Sequence, residues 1–198
     1  MIRASVCTDP SLRTQSAQSM VARRLLLRTL SCYLGLADAD IPLAVARSGR
    51  PVLAAPLALQ VSLSHCPGAV VAAVADHRIG VDVEQIRPPD GYAASRMLQP
   101  GELADIAAAA DPVRELFRYW TIKESYLKAI GLGLRYPPQR LRVTNGRDPA
   151  APHLDRPGAR LRLAEQFDSL VIAICCLHAE PDDDSAVEKV DLDELGGG

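Results

Sequence analysis

The chain has 198 residues, 48% of them apolar, and its 22 basic and 24 acidic side chains leave a formal net charge of −2. This length and composition fit a soluble protein with one large domain or two small ones that share an interface. No apolar run reaches transmembrane length, the N-terminus lacks a signal-peptide pattern, and aromatic residues make up too little of the chain for a nucleic-acid module, so we expect a cytoplasmic protein without membrane or nucleic-acid contacts.

The first part of the chain combines strands with one helix. Helical spacing runs over residues 17–34 and ends at Gly35. The turn-forming residues 76–78 predict a hairpin that joins two strands. The predicted strands are residues 2–6, 61–64, 70–75 and 79–84.

The last of these strands, I-G-V-D-V-E, places two carboxylates on one face. Asp82 and Glu84 are two residues apart, so in a strand they leave the same side together. A solvated strand face commonly alternates in this way. The pattern is therefore consistent with a wet face or with a site that needs two carboxylates.

A polar, Ala-rich segment over residues 89–111 is predicted to link two parts of the chain, with a short helix at residues 103–109. A long helix follows over residues 112–130. Asp111 is a favourable N-cap, and Gly131 ends the helix.

Glu124 interrupts the apolar stripe of this long helix. The stripe passes through Phe117 and Trp120 and continues at Leu127, and Glu124 lies four residues after Trp120 on the same face. An unpaired buried carboxylate costs several kcal/mol, so a positive charge is expected beside it.

Two sources of that positive charge are consistent with the sequence. An ordinary i,i+4 pair with Lys128 would contribute only about 0.3–0.5 kcal/mol. The chain has 19 Arg and three Lys, however, and Lys123 and Lys128 both flank Glu124. Lysine suits a point contact with a phosphate oxygen. The other source is a metal, because Asp82, Glu84 and Glu124 together offer three oxygen ligands suited to Mg²⁺.

These motifs carry a family resemblance. Residues 80–84, G-V-D-V-E, and residues 120–128, W-T-I-K-E-S-Y-L-K, resemble the paired signature of the 4′-phosphopantetheinyl transferases. They are most similar to the larger, pseudo-dimeric type that serves polyketide and non-ribosomal peptide synthases in secondary metabolism. Ser64-His65 and Gly49-Arg50-Pro51 lie upstream, and the resemblance extends from about residue 17 to about residue 143.

The resemblance implies an activity and its partners. Coenzyme A would donate its 4′-phosphopantetheine arm to a serine of an apo acyl, peptidyl or aryl carrier protein, and adenosine 3′,5′-bisphosphate would leave. Charge that develops on phosphoryl oxygens is stabilised by ammonium groups and a metal ion.

The resemblance also implies roles for individual residues. Asp82, Glu84 and Glu124 would hold Mg²⁺. Lys123 and Lys128 would contact the phosphates, and Glu124 or a metal-bound water would be the base. The catalytic set implied is Asp82, Glu124 and Lys128, and the coenzyme-binding set is Arg50, Ser64, His65, Lys123 and Lys128.

The implied fold is α+β, with two similar α/β halves in one monomer and the active site in the cleft between them. Residues 62–76 and 164–178 support this weakly, because each has a polar start that leads into an apolar run. The expected organisation is an N-terminal half at 1–88, a linker at 89–111, a C-terminal half at 112–179 and an acidic, disordered tail at 180–198.

One segment departs from the family pattern. An extra basic stretch and an Arg early in the first helix are missing here, and Ser19 lies near the position of that Arg. Arg13 or Arg23 could replace it, although we expect Arg23 to be a solvated helix residue. The alternative that this departure leaves open is a non-catalytic, carrier-binding relative whose carboxylates are structural surface charges.

Overall fold

The fold combines three α-helices with eleven strands in the residues that a computed structural model describes, which are 2–46, 51–54, 58–89, 96–144, 150–164, 167, 169–178 and 187–195. The helices are α1 (Gln15–Leu34), α2 (Pro100–Ala108) and α3 (Pro112–Ile130). The longer strands are β1 (Ile2–Thr8), β4 (Gln60–Cys66), β5 (Ala69–Ala75), β6 (Ile79–Gln85), β9 (Ala159–Ala164) and β10 (Leu170–Leu177). The shorter strands are β2 (Leu43–Val45), β3 (Pro51–Leu53), β7 (Val143–Thr144), β8 (His153–Leu154) and β11 (Val187–Lys189).

Two main sheets share one connectivity. The first has the order β11-β1-β5-β4 and the second has the order β6-β10-β9. In the first sheet β1 leads into α1, and β5 later returns to pair antiparallel with both β1 and β4. In the second sheet β6 leads to α2 and α3, and β10 returns to pair antiparallel with both β6 and β9.

The sheets stack face to face between helices. β5 and β10 are buried along their whole length, because each is a central strand covered on both faces. Apolar residues of β1, β5, β6 and β10 fill the space between the sheets. The outer face of the first sheet packs on α1, and the outer face of the second packs on α3. The resulting layers are helix, sheet, sheet and helix.

The ends of the long helix follow from local sequence, as predicted. The Asp111 side chain accepts a hydrogen bond from Arg114 N, which satisfies one of the free amides of the first turn. Gly131 ends α3 in the left-handed conformation, with φ of 74°. α1 ends in the same way at Gly35, so both predicted Gly stops are confirmed.

The hairpin predicted around residues 76–78 is wrong. β5 already has β1 on one edge and β4 on the other, so it offers no free edge to β6. β6 instead crosses to the second sheet and pairs with β10, from Ile79 with Cys176 to Gln85 with Leu170. The strand that carries Asp82 therefore belongs to a different sheet from its sequence neighbour.

The described part of the acidic tail also differs from the expected disorder. β11 pairs in parallel with β1, and Glu188 forms an ion pair with Arg3 at 2.7 Å. Val190 and Leu195 are buried against α1 and β5. Apolar residues among the acids thus hold residues 187–195 on the sheet. None of the described helices combines the length and apolar character needed to cross a bilayer.

Candidate active site

Strand β6 divides its side chains between two environments. Val81 and Val83 point into the layer between the sheets. The opposite face meets α3, where an added Cβ on Gly80 would lie 2.0 Å from Ser125 O. Asp82 leaves this same face and is 4% exposed. Because α3 covers the face, the reading of β6 as a wet strand face is wrong for Asp82.

Lys128 of α3 connects this face to β4. Its Nζ donates to Asp82 Oδ1 at 2.7 Å and to Ser64 Oγ at 2.6 Å. Ser64 Oγ in turn donates to the same Asp82 oxygen at 2.7 Å. Lys128 therefore pairs with a strand residue 46 positions away, and not with Glu124 one helical turn before it. The structure thus brings together Ser64, Asp82 and Lys128, three of the predicted site residues.

Burial raises the pKa of both Glu84 and Glu124. Burial is the main cause that raises the pKa of Glu124 to about 7, with a smaller contribution from the Asp82 carboxylate. Burial is also the main cause that raises the pKa of Glu84, with a smaller contribution from Asp82. The charges of Asp82, Glu84 and Glu124 therefore interact with one another, and a cation would stabilise the three carboxylates together.

Arg87 partly neutralises this group at its outer edge. Its guanidinium donates to Glu84 Oε2 at 2.9 Å and to Gln85 O at 2.9 Å. The same group lies over the Phe117 ring, 4.9 Å from the centroid. An Arg held by a carboxylate and an aromatic ring is well ordered at the rim of the site.

The donor set has the chemistry of a magnesium site, although its side chains are not gathered around one point. Within the described ranges no group of three or more His, Cys, Asp or Glu side chains is arranged to hold a metal ion. Asp82 Oδ1 is engaged by Lys128, but Asp82 Oδ2 is buried and accepts no hydrogen bond from any described residue. A buried carboxylate oxygen without a donor is suited to a hard cation, so Mg²⁺ fits these residues.

The structure corrects the role implied for Lys123. This side chain is completely buried, and its Nζ donates to Glu102 Oε2 and to Met97 O. Burial lowers the pKa of its ammonium, and the bonded Glu102 carboxylate opposes that effect. Lys123 faces α2 and not β6, so it cannot contact a phosphate from this position.

An open cleft of about 780 Å³ lies beside the Asp82 group. Lys128 reaches it from α3 and His65 from β4, while Arg23 of α1 and Arg135 complete its basic lining. Burial is the main cause that lowers the pKa of His65, and the Lys128 ammonium lowers it further. Arg50 lies outside the described residues. The cleft therefore offers cationic and imidazole groups to an anionic ligand.

Two residues of this region, Arg135 and Glu102, were missed by sequence reasoning. Arg23 is exposed, as expected, and it also lines the cleft together with Ser19, four residues before it on the same helix face. Arg135 follows the end of α3 and has no sequence signal of its own. Glu102 was assigned to the linker, and only its place three residues after Gln99, at the start of α2, hinted at a structural role.

Comparison with known proteins shows one family. Residues 78–175, about half of the chain, match the model of the 4′-phosphopantetheinyl transferase superfamily. That range includes β6 and α3, the elements that carry Asp82, Glu124 and Lys128. The chain therefore belongs to the 4′-phosphopantetheinyl transferase superfamily, a family of transferase enzymes.

Individual relatives agree with this family. A 4′-phosphopantetheinyl transferase of Bacillus subtilis is 28% identical over 178 residues, which cover 86% of this chain and 78% of the relative. A phosphopantetheinyl transferase of Thraustochytrium sp. is 30% identical over 84% of this chain and 66% of its own length. The gsp transferase of Aneurinibacillus migulanus is 30% identical over 61% of this chain and 51% of its own length.

The chain thus spans between about half and about four-fifths of the length of these relatives. A solved holo-[acyl-carrier-protein] synthase of Thermotoga maritima is 20% identical, with a TM-score of 0.44 over 52% of this chain and 63% of its own. That likeness is too weak to carry an argument.

Proposed function

We propose that the chain transfers the 4′-phosphopantetheine arm of coenzyme A to a serine of an apo acyl, peptidyl or aryl carrier protein. The observation that carries this proposal is the Asp82–Lys128–Ser64 cluster, which is flanked by Glu84 and Glu124 and connected to the basic cleft by Lys128. Coenzyme A has a pyrophosphate and a 3′-phosphate, which match the cations of Lys128, Arg23 and Arg135. Polyketide and non-ribosomal peptide carriers are the partners that we propose.

The transfer is a displacement at phosphorus. The serine oxygen of the carrier bonds to the phosphorus that bears the pantetheine, and the bond from that phosphorus to the bridging oxygen breaks. The electron pair leaves with adenosine 3′,5′-bisphosphate. Lys128 stabilises the charge that grows on the phosphoryl oxygens, since its ammonium already lies in the site.

Glu124 is the base that we propose for the serine proton. With a pKa of about 7, a substantial fraction of it is ionised at neutral pH, and it then accepts a proton readily. Asp82, Glu84 and Glu124 would hold Mg²⁺, which supplies electrostatic stabilisation of the phosphates when bound. A monomer with two similar halves is consistent with the shared connectivity of the two sheets. A cytoplasmic location remains part of this proposal.

The alternative of a non-catalytic relative rests on surface carboxylates and on the missing Arg at Ser19. The burial of Asp82 argues against surface carboxylates, and Arg23 offers a cation one turn from Ser19. The deciding experiment is incubation of apo carrier proteins with coenzyme A and Mg²⁺, followed by intact mass measurement. A mass gain equal to one phosphopantetheine arm is expected, and its absence from every class of carrier would reject the proposal.

His65→Ala is expected to raise the KM for coenzyme A several-fold and to leave kcat almost unchanged. His65 lines the cleft. If it binds the 3′-phosphate end of coenzyme A, as the resemblance implies, its contact would be similar in the ground and transition states. The same result is predicted for Arg50→Ala. Steady-state kinetics with varied coenzyme A measures both, and KM values equal to that of the wild type would reject these roles.

The contribution of His65 to the binding of coenzyme A should depend on pH. Its pKa is lowered in the free protein, and a bound phosphate would raise it. The affinity for coenzyme A that protonated His65 adds is therefore fully present below the pKa of His65 in the free protein. It is lost as pH rises through the pKa of His65 in the complex. In His65→Ala this rise of KM with pH should be absent.

Carrier recognition is expected to depend on salt. Residues 1–179 hold 21 basic and 16 acidic side chains, and this mildly basic part of the chain should attract an acidic carrier helix. Arg87 and Arg118 already pair with Glu84 and Glu115, at 2.9 Å and 2.8 Å, so they present a fixed rim. The candidate arginines are Arg87, Arg96, Arg114 and Arg118. The KM for the carrier should rise with ionic strength, and a constant KM from low to high salt would contradict electrostatic docking.

A further inference from the structure

A buried ion pair lies behind the candidate active site. Lys123 is completely buried and Glu102 is 3% exposed. Lys123 Nζ donates to Glu102 Oε2 at 2.5 Å and to Met97 O at 2.9 Å. Gln99 N donates to the same carboxylate at 2.8 Å, and Val143 N donates to its other oxygen at 2.9 Å. The Lys123–Glu102 pair thus connects α3 with residues 97–102 and, through Glu102, with Val143.

Two charges so deep in a protein are costly unless every hydrogen bond is satisfied. Glu102 accepts hydrogen bonds from three donors, and Lys123 donates to both Glu102 and Met97 O, so each buried charge is compensated. The pair joins the middle of α3 to the first turn of α2 and to β7. It therefore fixes one side of α3 at Lys123, the residue directly before Glu124.

The opposite side of α3 is fixed by close contact with β6. Gly80 brings the strand so near that an added Cβ would lie 2.0 Å from Ser125 O and 2.4 Å from Ala129 N. Glu124 and Lys128 lie between these two attachments. Consecutive helical residues differ by about 100° around the axis. A rotation of α3 would therefore draw Lys123 away from Glu102 and Glu124 away from β6 at the same time.

We propose that Lys123 and Glu102 are positioning residues that set the rotation of α3, and thereby hold Glu124 and Lys128 against Asp82. This inference rests on the proposed function, because it assigns the pair to the transfer site. It gives Lys123 a role behind the site in place of a contact with phosphate.

A double-mutant cycle tests the inference with Lys123→Met, Glu102→Gln and both together. Each single variant leaves one buried charge without its oppositely charged partner. The melting temperature of each single variant should therefore fall further than that of the double variant. The double variant should fold, lose about tenfold to 100-fold in kcat, and keep its KM for coenzyme A within about twofold of the wild type. Lys189→Met, at the exposed third lysine of the chain, is the matched control and should change neither quantity.

Three outcomes would overturn the inference. A double variant with full kcat would mean that the pair only stabilises the fold. A KM for coenzyme A raised more than tenfold in Lys123→Met would indicate that Lys123 contacts the phosphates of coenzyme A. A double variant that does not fold would likewise make the role purely structural.

A second measurement needs no turnover. Added Mg²⁺ should raise the melting temperature of the wild type and of Lys189→Met, and should raise it less in the double variant, where Glu124 is displaced. An equal rise in the double variant would overturn the positioning role. Absence of transfer by the wild type would reject the proposed function, whereas this Mg²⁺-dependent shift would still decide whether the pair positions Glu124.

Discussion

Asp82→Asn, Glu84→Gln and Glu124→Gln are each expected to lower the rate of phosphopantetheine transfer by about 100-fold or more. Each substitution removes one charged oxygen ligand from the proposed Mg²⁺ site, and Glu124→Gln also removes the proposed base. A structural surface role predicts unchanged activity and stability changes within about 0.5 kcal/mol. Carrier modification with and without Mg²⁺ separates the two interpretations.

The three variants should differ in stability without metal. Burial raises the pKa of Glu124, so its contribution to stability is complete below the unfolded-state pKa and is lost as pH rises through about 7. Glu124→Gln should remove that loss, and the variant should melt at or above the wild-type temperature at neutral pH. Glu84→Gln should change the melting temperature in the same direction as Glu124→Gln, because burial also raises the pKa of Glu84.

Asp82→Asn is expected to be different. Asp82 Oδ1 accepts hydrogen bonds from both Lys128 and Ser64, so its neutralisation weakens a charge-assisted pair and should cost about 1 kcal/mol. Thermal melting over pH 5–8 is the measurement. Glu188→Gln, on the exposed edge strand, is the control. Full transfer activity in any two of the three active-site variants would rule out the metal site.

The parts of the fold that local chemistry determines could be predicted. Asp111 caps α3 and Gly131 ends it, because capping depends on a few neighbouring residues. The alternation of Asp82 and Glu84 also predicted that both would leave one face of β6. That Asp82 and Lys128 would meet across two elements was implied only by the family motifs.

The partner of each strand could not be predicted from periodicity. β6 follows β5 after a short turn, yet it pairs with β10, more than 80 residues later. Alternating apolar residues indicate that a strand has a buried face, but not which sheet provides the cover. The short turn favoured a hairpin of β5 and β6. Both edges of β5 are paired, with β1 and with β4, so β6 pairs elsewhere.

The role of Lys123 was missed for a similar reason. Its partner Glu102 lies 21 residues earlier, in a segment that composition marked as a linker. Lys123 and Lys128 look equivalent in the sequence because both flank Glu124. Five positions on a helix separate them by about 500° of rotation, so they face different neighbours. Only the packing of α2 behind α3 distinguishes the buried lysine from the one in the cleft.

Gly80→Ala should destabilise the protein by about 3 kcal/mol, at the upper end for overpacking. The new Cβ would lie 2.0 Å from Ser125 O and 2.4 Å from Ala129 N, and both are backbone atoms of α3 that cannot move alone. Relief requires the whole helix to shift from β6, which would also separate Lys128 from Asp82. We therefore expect transfer activity to fall as well.

Urea unfolding of Gly80→Ala beside Gly101→Ala isolates this contact. Gly101 lies in the first turn of α2, where an added Cβ meets nothing within 4 Å. Alanine there should be neutral or stabilising by up to about 1 kcal/mol, since it reduces the freedom of the unfolded chain. A midpoint for Gly80→Ala equal to that of Gly101→Ala would show that α3 does not press on β6 at this glycine. The close packing that places Glu124 and Lys128 beside Asp82 would then need another cause.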